Sequence, residues 1–288
     1  MDTAPIDDNI SPHYISRDMR RTALLYVLAA LLGGCAAAPT NPSFPVTATE
    51  AHKAIDEMQH DPVKLQRPLV LVGGFLDPDI SPAAFTGFFE SVSDHPLIIR
   101  VPIGFCNSFD DCRNMLIAAV DAACPPKDPT WTREVDVVGA SLGGLVARYA
   151  AAPSPDPAHP RRLRIARLFT ISSPLAGARL AEIGGINSFY RDIQPGSAFL
   201  NSLAAQDAHA TYQLYPYVYL GDPVIGDQYA APPGKSPFWL SNNTGFPDHW
   251  AIMTDQRVLA DIARRLRDEP AFSHLPAAPL PSSAEKHT

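Results

Sequence analysis

The residues of this 288-residue chain most able to do chemistry are a serine, an aspartate and a histidine that lie far apart in sequence. Ser141 stands in Gly139-Ala140-Ser141-Leu142-Gly143, a G-x-S-x-G pattern. A serine hydroxyl is a weak nucleophile until a base takes its proton, and a histidine base is held in one tautomer by a carboxylate. The pattern gains meaning from its surroundings. Glu134 to Val138 reads as a short, valine-rich buried strand, and Leu142, Leu145, Val146 and Tyr149 fall at helical spacing. Strand, tight turn and helix in that order expose a strained serine at a helix N-terminus, where free N–H groups favour negative charge. Gly139 and Gly143 leave room for the bend, and Gly144 lets the helix lie close to the sheet.

A chain that builds such a bend on a parallel sheet runs nucleophile, acid, histidine. After Ser141 come His159, His209, His249, His274 and His287. His274 and His287 fall in a proline-rich tail, and His159 and His209 precede the best acid. His249 alone lies between the last strand signal and the final helix, where the base belongs. Asp222 follows an aromatic strand and is the first choice of acid. Asp227 is second and Asp248, beside His249, third; Asp207 falls in a segment expected to form a cap.

These residues need a scaffold, and the chain is long enough for one large α/β domain. Strands are expected at Arg67–Val72, Pro96–Val101, Leu163–Ser172 and Gln213–Leu220, with Pro216 marking a kink or an edge position. Helices are expected at Pro82–Val92, Asp110–Ala123 and Asp255–Leu266. Residues 175–212 are rich in apolar groups and suit a cap over an acyl-binding groove. Residues 223–248 read as a long loop. The formal net charge of −7 argues against a nucleic-acid partner. There is no metal-ligand motif, and the chemistry needs no cofactor.

At the N-terminus, Met19-Arg20-Arg21 precedes an apolar run from Ala23 to Leu32. That run is far short of the ~20 residues a membrane span requires and reads as a secretory signal. Its ending, Leu32-Gly33-Gly34-Cys35, resembles the lipobox of bacterial lipoproteins. The resemblance implies cleavage before Cys35, lipidation there, and Met19 as the true start. Ala36 carries no inner-membrane retention signal, so the expected location is the bacterial cell envelope, at the outer membrane. The expected layout is an upstream extension and signal over 1–34, a tether over 35–62 with one weak helix near Glu50–His60, the globular domain over 63–269, and a flexible tail over 270–288. In an exported protein Cys106 and Cys112 are the expected disulfide. Cys112 and Cys124 would sit ~18 Å apart along one helix, too far to bridge.

The stretches LVLVGGF, DVVGASLGGLVARY, FTISSPLAGA, DIQPGSAFLNSL, YLGDPVIGD and DHWAIMTDQRVLADIA resemble the bacterial triacylglycerol lipase and esterase branch of the α/β-hydrolases, a group similar to GPI inositol-deacylases. They span most of residues 67–266. The resemblance implies an α/β-hydrolase fold, a mostly parallel sheet with helices on both faces and a small cap. It also supports Asp222 and His249, and it implies an oxyanion hole from the N–H groups of Phe75 and Leu142. Gly73 replaces a usual histidine, and Ser173-Pro174-Leu175 stands where relatives often have Thr-Pro-His. The implied activity is hydrolysis of lipid or small carboxylic esters, with a membrane as partner through the N-terminal anchor. An acyltransferase using the same acyl-enzyme, and a non-catalytic envelope lipoprotein, are the alternatives. Acyl-chain length and oligomeric state are not legible in the sequence.

Overall fold

Four consecutive buried apolar residues form β1 (Leu69–Val72), as befits a strand covered on both faces. It belongs to a six-stranded sheet with β2 (Ile98–Val101), β3 (Trp131–Ala140), β4 (Arg162–Ile171), β5 (Gln213–Tyr219) and β6 (Phe238–Leu240). The order is β2-β1-β3-β4-β5-β6, and every neighbouring pair is parallel. The computed structural model describes residues 38–154, 156–184, 188–242 and 247–282.

Among the described residues the α-helices are α1 (Ala48–His60), α2 (Ile80–Ser91), α3 (Phe109–Ala123), α4 (Leu142–Ala151), α5 (Arg179–Glu182), α6 (Ser188–Asp192), α7 (Ala198–Gln206), α8 (Asp248–Ala251) and α9 (Gln256–Leu266). Alternation along the strands divides the core into two layers. Leu69, Leu71, Val138 and Phe169 face Ile55 of α1, Phe85 of α2 and Ile262 of α9. Val70, Val72 and Val137 face Leu116 of α3 and Leu145 of α4. With helices on both faces of a parallel sheet and the serine bend directly after β3, this is an α/β-hydrolase fold.

Several expectations are corrected. β6 lies inside the stretch expected to be loop; at three residues it is too short to announce itself. β5 is interior, not an edge strand, since β4 and β6 flank it. Pro216 pairs with Thr170 on one side, and β6 joins only from Tyr217 onward. The missing N–H therefore falls where β5 still has a single partner.

The expected tether is folded from Pro39. Phe44 is buried edge-on against Tyr217 and Phe238. Asn41 Nδ2 donates to the Trp239 carbonyl at 2.9 Å, and Ser241 Oγ donates to the Pro39 carbonyl at 2.8 Å. A capping box between Thr47 and Glu50 starts α1, which buries Ala51, Ala54, Ile55 and Met58. The anchoring partners of Pro39 and Asn41 are far along the chain, so local composition conceals them. The tail is likewise fastened as far as it is described. Ser273 N–H donates to Asp261 Oδ1 at 2.7 Å, and Trp239 Nε1 donates to the Pro279 carbonyl at 2.9 Å. Residues 1–37, with the expected signal and Cys35, and residues 283–288 lie outside the described residues.

The bridge expected between Cys106 and Cys112 is not formed: both are free thiols, as is Cys124. Cys112 is fully buried in the first turn of α3. Burial pushes its thiol well above the ordinary range, and the adjacent Cys106 thiol adds to the rise. A buried protonated thiol packs as a small apolar side chain, and the thiolate that exchange requires is disfavoured.

Candidate active site

Ser141 ends β3 and begins α4 with φ 49° and ψ −123°. Such a backbone costs a non-glycine residue ~1–3 kcal/mol and persists only where the surroundings enforce it. Here its N–H is tied to the Ile171 carbonyl of β4 at 2.8 Å. Close packing fixes the rest. A Cβ on Gly143 would collide with the Gly73 carbonyl oxygen and lie 2.5 Å from that of Val72. A Cβ on Gly139 would lie 2.5 Å from Gly144. The bend thus needs glycine on both sides of the serine because backbone occupies the space.

His249 is carried by α8, which follows β6, and Asp222 lies in the turn after β5. Both loops leave the carboxyl edge of the parallel sheet, where Ser141 also lies. His249 Nε2 is 3.1 Å from Ser141 Oγ, and His249 Nδ1 is 3.0 Å from Asp222 Oδ2. The other oxygen of Asp222 accepts the N–H groups of Val224 at 2.8 Å and Ile225 at 3.0 Å. Asp222 has no solvent exposure, and His249 is buried. Burial alone would raise the Asp222 pKa. The His249 imidazole, the Ile225 N–H and the nearby Ser172 hydroxyl outweigh it, and the carboxyl is held below its ordinary value. An ionised Asp222 puts the imidazole proton on Nδ1 and leaves Nε2 to accept the serine proton.

The other acid candidates are engaged elsewhere. Asp227 Oδ1 accepts the Gln228 N–H at 3.1 Å. Asp248 accepts from Asn242. Asp207 pairs with Arg148 of α4. Ser172 was not anticipated. It is fully buried at the end of β4 with φ 47°, and its hydroxyl lies near the Asp222 carboxylate without a well-aligned hydrogen bond. A polar residue closing the apolar run LRIARLFTI was the available signal.

The loop after β1 packs against the serine: a Cβ on Gly74 would lie 3.2 Å from Ser141 Cβ. The next N–H, that of Phe75, has no acceptor among the described residues. The Leu142 N–H stands at the first position of α4, where a helix offers it no partner. A cleft of about 200 Å³ opens over Ser141, lined by Gly74, Phe75, Leu76 and Ile80 and by His249, Trp250 and Met253. The expected cap, residues 175–212, meets its rim where the Phe75 ring contacts Phe189 and Tyr190 at centroid distances of 5.6 and 6.5 Å. Among the described residues no cluster of three His, Cys, Asp or Glu is placed to hold a metal ion.

The chain is similar to Aspergillus fumigatus lipase B. The TM-score is 0.42 and the identity 13%, over 87% of this chain and 74% of that one. No family model and no curated protein matches the sequence.

Proposed function

We propose that this chain is a serine hydrolase of carboxylic esters, with Ser141 as nucleophile, His249 as general base and then acid, and Asp222 as the group that orients the imidazole. One observation carries the reading: a single buried imidazole lies within hydrogen-bond distance of Ser141 Oγ on one side and Asp222 Oδ2 on the other. Ser141 Oγ attacks the ester carbonyl carbon as its proton passes to His249 Nε2. The carbonyl oxygen takes up negative charge and accepts the N–H groups of Phe75 and Leu142. Collapse expels the alcohol, which receives the proton from Nε2 and leaves an acyl-Ser141 ester. Water then loses a proton to Nε2, attacks the acyl carbon and releases the acid. Throughout, Asp222 offsets the charge of the transient imidazolium.

Apolar Phe75, Leu76, Ile80, Trp250 and Met253 line the cleft and favour an apolar acyl or alcohol group, such as lipid or acylglycerol esters carry. The proposed location is the cell envelope, held through a lipid on Cys35. A series of p-nitrophenyl esters from short to long acyl chains tests the activity. Release of p-nitrophenol by the wild type, lost in Ser141→Ala, is expected. Equal release by both proteins would refute the assignment.

A further inference from the structure

A second cavity lies far from Ser141. It sits at the amino edge of the sheet, where β3 and β4 begin, and has a volume of about 280 Å³. β3 runs ten residues from Trp131, at the cavity, to Ala140, so Ser141 stands about 30 Å away. Leu163 and Ile165 of β4, Leu203 of α7 and Ala151 at the end of α4 give the cavity apolar walls.

The surroundings hold this space open. The Arg162 guanidinium covers the Trp131 ring, with Cζ 4.2 Å from the ring centroid. It also donates through Nε and Nη2 to the Ala151 carbonyl at 2.9 and 2.7 Å. On another wall Arg148 is paired with Asp207 and bonded to the Leu175 carbonyl. Both guanidinium groups are therefore committed to protein acceptors.

One polar group at the cavity is not committed. Gln206, the last residue of α7, buries its side-chain oxygen with no hydrogen-bond partner among the described residues. A buried acceptor without a donor is costly, and a ligand that supplies the donor removes that cost. The helix ends favour the same chemistry. α4 and α7 both terminate at the cavity, and the carbonyl end of a helix favours a donor over an anion. Size sets a second limit. A cavity of ~150 Å³ holds benzene, so one ring with a short polar substituent fits here.

We propose that this cavity binds a small, mainly apolar alcohol, whose hydroxyl donates to Gln206 Oε1 while its hydrocarbon part packs against Leu163, Ile165 and Leu203. The site goes beyond the hydrolase reading and does not use Ser141.

Titration of the full chain with benzyl alcohol tests the proposal. Toluene and benzoate are the controls: they keep the ring, one without a polar group and one with a charge but no donor. Trp131 emission reports occupancy in a Trp250→Phe background, and the thermal midpoint reports it independently, since a ligand of the native state raises it. The expected result is a saturable change in both signals with benzyl alcohol, and at least threefold weaker binding of toluene and of benzoate. Gln206→Leu should abolish the preference for the alcohol over toluene. Leu203→Trp, which places a larger side chain in the cavity, should abolish binding, and Gln206→Leu keeps the test decisive if that variant does not fold. No saturable binding, equal affinity of wild type and Gln206→Leu for benzyl alcohol, or tighter binding of benzoate would each overturn the proposal. Ser141→Ala should titrate as the wild type does. Binding without ester hydrolysis would count against the hydrolase reading alone, and hydrolysis without binding against the alcohol site alone.

Discussion

Asp222 holds His249 with one carboxylate oxygen, 3.0 Å from Nδ1, while the other oxygen takes the N–H groups of Val224 and Ile225. The carboxylate is fixed by backbone on one side and meets the imidazole on the other. Asp222→Asn keeps the shape but offers the imidazole an amide in place of a charge. Its kcat/KM for a soluble ester should fall by roughly 10³–10⁴. A loss below tenfold in steady-state assays would remove Asp222 from the mechanism.

Gly143 is pressed against the backbone oxygens of Gly73 and Val72, neither of which can rotate away. Gly143→Ala should cost about 3 kcal/mol or more in urea unfolding and abolish activity with it. Gly87 in α2 has open space around it and serves as the control. Gly87→Ala should be neutral or stabilise by up to about 1 kcal/mol.

Arg148, buried on the helix that follows Ser141, donates to Asp207 through Nε at 3.1 Å and Nη2 at 2.8 Å, and to the Leu175 carbonyl at 2.8 Å. It fastens the helix of Ser141 to the segment around 175–207. Asp207→Ala leaves that guanidinium buried without its carboxylate and should destabilise by about 3 kcal/mol. A thermal midpoint indistinguishable from the wild type would show the pair to be dispensable.

Asp77 accepts the N–H groups of Asp79 at 3.0 Å, Ile80 at 2.6 Å and Ser81 at 3.0 Å at the start of α2. Burial works to raise its pKa, but the Ser81 hydroxyl and these N–H groups prevail and hold it below its ordinary value. The folded state thus binds the proton more weakly than the unfolded chain. The stabilisation is complete above the ordinary carboxylate value and fades as pH falls through the lower folded value. Asp77→Ala should be less stable than the wild type at neutral pH, and the difference should shrink on acidification below about pH 4. A difference that grows on acidification would contradict the sign.

What the sequence made legible was local or ordered. Strand, bend and helix around Ser141 are contiguous, so the pattern contains the geometry. His249 and Asp222 followed from chain order, since each strand delivers its loop to one edge of a parallel sheet. What escaped depends on distant partners. Phe44 gave no sign that Tyr217 and Phe238 would bury it, and Pro216 looked peripheral because the late start of β6 is a tertiary fact. Ser172 meets Asp222 only through the folded sheet, and the burial that keeps Cys112 a thiol is equally non-local.

The most direct test of the account is covalent labelling of the native protein by a fluorophosphonate probe, read by mass spectrometry of the digested chain. The account predicts stoichiometric phosphonylation at Ser141, lost in Ser141→Ala and slowed at least roughly a hundredfold in His249→Ala. Folded wild-type protein that stays unlabelled, or a label that persists in Ser141→Ala, would contradict it.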